Sequence, residues 1–215
     1  MSTITIEQQA AIAAKVNGMT LPSGMGDAHA ACSIAAINLA LTGRLTDDIP
    51  DCMSPVIGRW IIVVQDAMPD EMRNSPRWKA ALPLAAGTGR EHEKERIALI
   101  LDWMWSVVLP TLQPLADERG FGPQWRHMTT ERTAVAAESA AKAAKAAKAA
   151  GAWAAEAAAE AARAARAGEA WAAEAWAAEA ARAAARAAWE ARESAWNRFD
   201  PCALLERLIA VGEQA

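Results

Sequence analysis

An alanine-rich run from about residue 134 to Trp196 constrains the fold of this chain more than any other feature. Alanine is the strongest helix former, and Lys, Glu, Arg and Trp fill most of the other positions. Helix propagates readily through such residues, so the run predicts helix without tertiary contacts. Unbroken, roughly 60 residues would form a rod of about 90 Å. Gly151 and Gly168 disfavour helix, so we expect them to be the corners of a helical hairpin. The alternative is one continuous helix that contains both.

Five tryptophans in or at the end of the run are candidate anchors for packing. Trp153, Trp171 and Trp189 are 18 residues apart, a whole number of helical turns, so they would share one stripe. Trp196 falls close to that stripe, whereas Trp176 lies on a different face of the predicted helix. A buried Trp removes roughly 150–250 Å² from water. The rings therefore either dock on the chain's own body or face a partner, and the scattered charges do not favour a two-stranded coiled coil.

Helix start signals recur before residue 128 and predict a body of about five helices. The start signals are the capping box Thr5–Gln8, a cap at Asp27, the Ser-Pro pairs at Ser54 and Ser75, and the capping box Thr88–Glu91. The corresponding predicted ends are Asn17–Gly18, Gly43, Pro69, a kink or end at Pro83, and about Leu109 for the longest helix. The β-branched run 61–64 leaves a strand as the alternative at that position.

Two further start signals flank the alanine-rich run. Thr129 and Thr130 form the predicted cap that leads into it, and Asp200-Pro201 begins a last helix that ends at Gly212. The last helix carries Leu204, Leu205, Leu208 and Ile209 on one face. Because so apolar a face must be buried, we expect this helix to dock on the body or on another subunit.

The composition excludes several classes of protein. A net charge of −4 argues against a general nucleic-acid binder, and three cysteines do not make a disulfide framework. The N-terminus lacks a secretion signal and the longest apolar stretch, 97–109, is too short to cross a bilayer. We therefore expect a cytoplasmic protein with reduced thiols. Ten Trp and no Tyr, beside abundant Ala and Arg, suggest a GC-rich bacterial or phage gene.

Thiol or metal chemistry has one candidate cluster. Asp27, His29 and Cys32 lie within six residues at a predicted helix start, and Cys52 lies on the next connector. A thiolate at a helix N-terminus beside a His is a possible nucleophile. His29, Cys32 and Cys52 could equally supply three zinc ligands, but no CxxC pair is present. Ordinary buried cysteines and a helix cap explain the same residues, and we favour that interpretation.

Other polar residues give weaker signals. The segment 87–90 resembles a phosphate-binding loop, yet it lacks the Gly-Lys-Ser/Thr of a P-loop and its residues also fit a capping box. His92 has no HExxH pattern, and His127 has no supporting neighbours. Asp102 lies in an apolar stretch, where a buried acid with a raised pKa is the alternative to an exposed helix face.

The sequence thus predicts an all-α protein in three parts: a helical body at 1–128, an alanine-rich helix or hairpin at 129–198, and a C-terminal docking helix at 199–215. The leading hypothesis is a structural or interaction protein that self-associates or binds a protein partner, with no catalysis and no cofactor. Its candidate interaction residues are Trp153, Trp171, Trp176, Trp189, Trp196, Leu204, Leu205 and Leu208. The alternatives are a small thiol or metal enzyme at His29, Cys32 and Cys52, and a toxin-neutralising, immunity-type helical protein.

Overall fold

The computed structural model describes residues 4–146, 158–159 and 193–212. Within these ranges the regular structure is helical, and the only β pairing is two isolated bridges, Thr20 with Ala30 and Gly26 with Ala31. The predicted all-α class is therefore confirmed. The predicted corners at Gly151 and Gly168 lie outside the described residues, as does most of the alanine-rich run.

The described residues form twelve helices, numbered here in chain order. The first six are α1 (Ile6–Asn17), α2 (Ser33–Thr42), α3 (Pro55–Ala67), α4 (Asp70–Arg73), α5 (Pro76–Ala85) and α6 (Glu93–Trp103). A π-helical turn at Met104–Val108 comes next. It is followed by α7 (Leu109–Thr111), α8 (Gln113–Glu118), α9 (Gly122–Glu131), α10 (Ala134–Ala146), α11 (Glu193–Phe199) and α12 (Pro201–Ala210).

Contacts divide the chain into two compact units. The first comprises residues 1–96 together with 201–215, and the second comprises residues 97–200. The C-terminal helix thus belongs to the same unit as the N-terminal helices. The three parts predicted from composition have boundaries at residues 128 and 198, which differ from the division by contacts. They stay a prediction.

Three helices of the first unit begin as their start signals predict. The Thr5 side chain accepts a hydrogen bond from the amide of Gln8 at 3.2 Å, and Gln8 Oε1 accepts from the Thr5 amide at 2.8 Å. Ser54 and Ser75 each accept from the amide three residues later, at 3.2 Å in both cases. The run 61–64 lies inside α3, so the strand alternative is excluded. Helix α5 continues through Pro83 to Ala85, so the proline does not end the helix at its own position.

The predicted cap at Asp27 is wrong. Asp27 Oδ1 accepts from the amides of His29 and Ala30, at 2.7 and 3.0 Å, in a local turn that competes with helix capping. Helix α2 begins only at Ser33, and Cys32 Sγ accepts from the Ala35 amide at 3.4 Å as its cap.

The predicted capping box at Thr88 is also wrong. The Thr88 hydroxyl donates to the Ala85 carbonyl at 2.8 Å and accepts from the Ser54 amide at 3.0 Å. Gly89 and His92 both have positive φ, 61° and 65°, which keeps this segment out of a helix. Helix α6 therefore starts at Glu93, five residues later than Thr88.

The longest predicted helix is interrupted at the π-helical turn before Pro110. Proline has no N–H for the carbonyl of Ser106, and its ring would press against that oxygen in an α-helix. In the wider π turn the Leu109 amide donates to the Met104 carbonyl instead. The turn lies in the core of the second unit, where Trp103 Nε1 donates to the Phe199 carbonyl at 2.7 Å.

The cap of the helix that begins the alanine-rich run also differs from the prediction. Thr129 and Thr130 lie inside α9, which ends at Arg132 in the left-handed conformation with φ of 53°. The side chain that caps α10 is Thr133, whose Oγ1 accepts from the Ala136 amide at 3.3 Å. The predicted cap was wrong because α9 extends through both threonines.

Side chains of α3, α4, α5 and the residue after α4 hold the long connector between α1 and α2. Arg73 Nε donates to the Leu21 carbonyl at 2.9 Å, and Asn74 bonds both the amide and the carbonyl of Leu21, at 2.8 and 3.1 Å. Lys79 Nζ donates to the Met19 carbonyl at 2.7 Å, and Gln65 Nε2 donates to the Pro22 carbonyl at 3.0 Å. The connector is therefore fixed by partners that are distant in sequence.

Candidate functional site

A groove of about 430 Å³ lies in the first unit, beside the end of α5 and the end of α12. Leu84 and Ile209 form its apolar side, while Gln9, Glu91, His92 and Arg96 supply polar atoms. A second hollow of about 270 Å³ shares Leu84 and Ile209 and follows the same pair of helices. Because the two hollows share Leu84 and Ile209, they form one partly apolar furrow, in which Leu84 is 50% exposed. We name it the α5–α12 furrow.

Arg96 is the buried charge at the floor of the furrow, and its side chain is 1% exposed. Its Nε donates to the Leu208 carbonyl at 3.2 Å and its Nη2 to the Thr88 carbonyl at 3.1 Å. Its Nη1 lies 2.6 Å from the Glu91 carbonyl and 3.2 Å from Glu93 Oε1. Burial lowers the pKa of Arg96 and the Glu93 carboxylate opposes that shift, so the guanidinium remains charged.

Glu93 connects this arginine to the start of α3. Its Oε2 accepts from the Ser54 hydroxyl at 3.0 Å and from the Val56 amide at 3.3 Å. A carboxylate at a helix N-terminus is favourable because the first amides of the helix have no partner within it. The pair of Arg96 and Glu93 therefore fastens the loop before α6 to both α3 and α12.

The C-terminal helix is held by apolar and charged contacts together. Leu204, Leu205 and Leu208 are buried, and α12 packs against α5 and α3. Arg77 Nε and Nη2 donate to the two carboxylate oxygens of Glu206, each at 2.7 Å. Both of those side chains are about half exposed. The bidentate geometry adds orientational specificity to the apolar packing of this helix.

The candidate interaction residues fall into two groups. Trp196, Leu204, Leu205 and Leu208 are buried within the chain, so their apolar area already serves intramolecular packing. Trp196 packs edge-on against Phe199, with ring centroids 5.6 Å apart, inside the second unit. The remaining candidates, Trp153, Trp171, Trp176 and Trp189, lie outside the described residues.

The thiol candidates occupy protected positions. Cys32 and Cys52 are buried, and burial raises the pKa of each thiol. Such thiols are protonated at neutral pH and are poor nucleophiles. His29 is exposed on the connector between α1 and α2, where the turn at Asp27 holds its backbone. Among the residues that the structure describes, no three His, Cys, Asp or Glu side chains are grouped as metal ligands would be.

The loop 87–90 uses its amides internally. The Gly87 amide donates to the Leu84 carbonyl at 3.1 Å, the Thr88 amide to Ala85 at 3.3 Å, and the Gly89 amide to Cys52 at 2.9 Å. A phosphate-binding loop needs such amides to point towards the anion. The same atoms here close a turn and join it to the connector before α3.

The other polar candidates each belong to a different element of the chain. Asp102 is exposed and accepts from the Ser106 hydroxyl at 2.9 Å. It therefore lies on an exposed face of α6 and is not a buried acid. His127 is exposed on α9. His92 lines the furrow, with its Nδ1 3.9 Å from a Glu95 carboxylate oxygen.

Sequence reasoning missed Arg96 and the furrow. The available signal was position: Arg96 precedes Ile100 by four residues and Met104 by eight, so it continues the apolar stripe of α6. A charged residue in such a stripe is either at the end of the helix or buried with partners. The partners are distant carbonyl groups, which no local pattern could identify.

Comparison with known protein families, with curated proteins and with solved structures finds no match for this chain. Separately, none of the helices in the described ranges is both long and apolar enough to cross a bilayer.

Proposed function

We propose that this chain is an interaction protein without catalytic activity, whose alanine/Trp-rich helical segment mediates self-association or binds a protein partner. The observation that carries the proposal is the packing of α10, the described beginning of that segment. Ala136, Ala137, Ala140 and Ala144 are buried, and α10 packs against α9. Ala158, further along the same run, is buried as well.

Methyl side chains favour this mode of contact. They let two helices approach to the short end of the usual range of about 8–10 Å between axes. The sequence repeats the same alanine pattern towards Trp196 and adds an indole at intervals. Each indole contributes far more apolar area than a methyl group, so the Trp residues would supply most of the binding free energy.

The positions of the cysteines also support a role outside catalysis. The Cys32 sulfur accepts the hydrogen bond that caps α2, and burial raises the pKa of the thiol. This use of the side chain is structural. The cytoplasmic location and the bacterial or phage source belong to the proposal as well, on the composition of the sequence.

Light scattering over a concentration series tests the self-association directly. We expect the triple substitution Trp153→Ala, Trp171→Ala and Trp189→Ala to weaken association by tenfold or more, because it removes the predicted stripe. Trp176→Ala is the matched control, since that residue lies off the stripe, and it should weaken association less. Two results together would contradict the proposal. The wild-type chain would be monomeric, and the triple substitution would not weaken its binding to any protein partner.

A further inference from the structure

We propose that the first unit also accepts helix α12 from a second copy of this chain, so that two copies exchange their C-terminal helices. The surface concerned is the face of α3, α5 and the loop before α6 on which α12 lies. The inference goes beyond the proposed function, because it requires no contact by the alanine-rich segment.

The contacts that hold α12 are complete within the first unit. They are the buried faces of Leu204, Leu205 and Leu208, the bond from Arg96 to the Leu208 carbonyl, and the Arg77–Glu206 ion pair. Their partners before residue 97 are separated from α12 in sequence by the whole of residues 97–200. A helix supplied by another copy would form the same contacts with the same geometry.

The hinge before α12 is a single strained residue. Asp200 has φ of 39° and lies between the end of α11 at Phe199 and Pro201. A left-handed conformation costs non-glycine residues free energy, although less for Asp than for most, and a residue before proline favours an extended backbone instead. Opening the hinge to an extended conformation removes this cost, and short strained hinges favour exchange of the element that follows.

Exchange would build the α5–α12 furrow from two copies. Leu84, His92 and Arg96 would come from one chain, and Ile209, Val211 and Gly212 from the other. The furrow would then be a composite surface whose formation depends on the second copy.

Charge reversal at the ion pair distinguishes exchange from closure within one chain. In Arg77→Glu, and separately in Glu206→Arg, two like charges meet when α12 docks on its own chain. When the two variants exchange helices with each other, opposite charges meet at both docking sites. Full-length variants are unfolded in denaturant, refolded together or separately, and compared by sedimentation velocity.

We expect the mixture to dimerise about fivefold to tenfold more strongly than either variant alone, from two half-exposed pairs. The double variant Arg77→Glu/Glu206→Arg restores the pair within one chain and serves as the control, with wild-type behaviour expected. A mixture no more dimeric than its separate components, beside a well-folded double variant, would overturn the exchange.

The hinge supplies an independent pair of variants. Asp200→Gly and Asp200→Ala both remove the carboxylate, but only glycine adopts positive φ without strain. We expect the alanine variant to dimerise more than the glycine variant after the same refolding. Equal dimer fractions in these two variants would overturn the role of the hinge. The two Asp200 variants test the exchange even if the charge variants fail to fold. Neither pair alters a residue of the alanine-rich run, so the Trp substitutions report on the proposed function separately.

Discussion

The guanidinium of Arg96 donates from Nε to the main-chain carbonyl of Leu208, at 3.2 Å, and so joins the start of α6 to the last helix of the first unit. The carbonyl lies near the C-terminus of α12, where the last carbonyls have no partner within the helix. A cation at that end is also favoured by the helix dipole. One buried side chain therefore bonds a carbonyl near the end of α12 and, through Glu93, the beginning of α3.

Arg96→Met should lower the free energy of unfolding by about 3 kcal/mol, because it leaves several buried carbonyls and the Glu93 carboxylate without their donor. Chemical denaturation followed by Trp fluorescence measures the change. Arg90→Met is the matched control: Arg90 is largely exposed, and its Nη2 lies 3.6 Å from a carboxylate oxygen of the exposed Asp51. That variant should stay within about 0.5 kcal/mol of wild type. Equal effects of the two substitutions would show that the buried network adds little.

Stability should fall at alkaline pH because of the buried thiols. Burial raises the pKa of Cys32 and Cys52 above the ordinary value of 9.0, so the folded chain holds these protons more tightly than the unfolded chain. Their contribution is fully present below pH 9 and is lost as the pH rises towards the folded pKa. The slope reaches about 1.4 kcal/mol per pH unit for each thiol. The chain has no Tyr, so phenol ionisation does not obscure this window.

Denaturation curves between pH 7 and pH 10 test the alkaline effect. Cys32→Ser should flatten the slope, since serine does not titrate in this range and its hydroxyl can still cap α2. The double substitution Cys32→Ser/Cys52→Ser should flatten it further. An unchanged slope in the double variant would assign the pH dependence to other groups.

Alkylation of the native chain tests the thiol-enzyme alternative. Because Cys32 and Cys52 are buried and their pKa values are raised, we expect iodoacetamide at pH 7.5 to modify both at least about 100-fold more slowly than free cysteine. Mass spectrometry of timed samples gives the rate at each position. Unfolded chain in denaturant is the control and should react at the free-cysteine rate. A rapid reaction at Cys32 in the folded protein would revive a catalytic thiol.

The start signals that succeeded are local, whereas the one that failed at Thr88 has a partner distant in sequence. Thr5, Ser54 and Ser75 bond to amides three residues away, a distance that the sequence alone specifies. Thr88 fits the same pattern, yet its hydroxyl accepts from the amide of Ser54, 34 residues earlier. A competing partner of this kind is set by tertiary packing, which local patterns do not contain.

The candidate site, too, depends on contacts between residues that are distant in sequence. Helical spacing puts Leu204, Leu205 and Leu208 on one face of α12, and all three are buried. The surface that receives it depends on Arg96, whose partner Leu208 is 112 residues away. The sequence marks Arg96 only as a charge in an apolar stripe. Composition likewise cannot place α12 with the N-terminal helices, because the division follows contacts across residues 97–200.

Asn74→Ala should loosen the connector between α1 and α2 while the helices remain folded. Asn74 accepts from the Leu21 amide at 2.8 Å and donates to the Leu21 carbonyl at 3.1 Å, so the substitution leaves both backbone groups without that partner. We expect a loss of about 1–3 kcal/mol in local stability. Hydrogen exchange read by mass spectrometry should show faster exchange in peptides covering residues 19–31.

Asn38→Ala is the reciprocal control for that prediction. Asn38 Nδ2 donates to the carbonyls of Thr46 and Asp48, both at 2.8 Å, and so holds the connector between α2 and α3. This variant should accelerate exchange in residues 44–50 and leave residues 19–31 protected, whereas Asn74→Ala should do the reverse. If either substitution accelerated exchange equally in both connectors, the asparagines would be acting through global unfolding, and the connectors would not be held separately by their own side-chain partners.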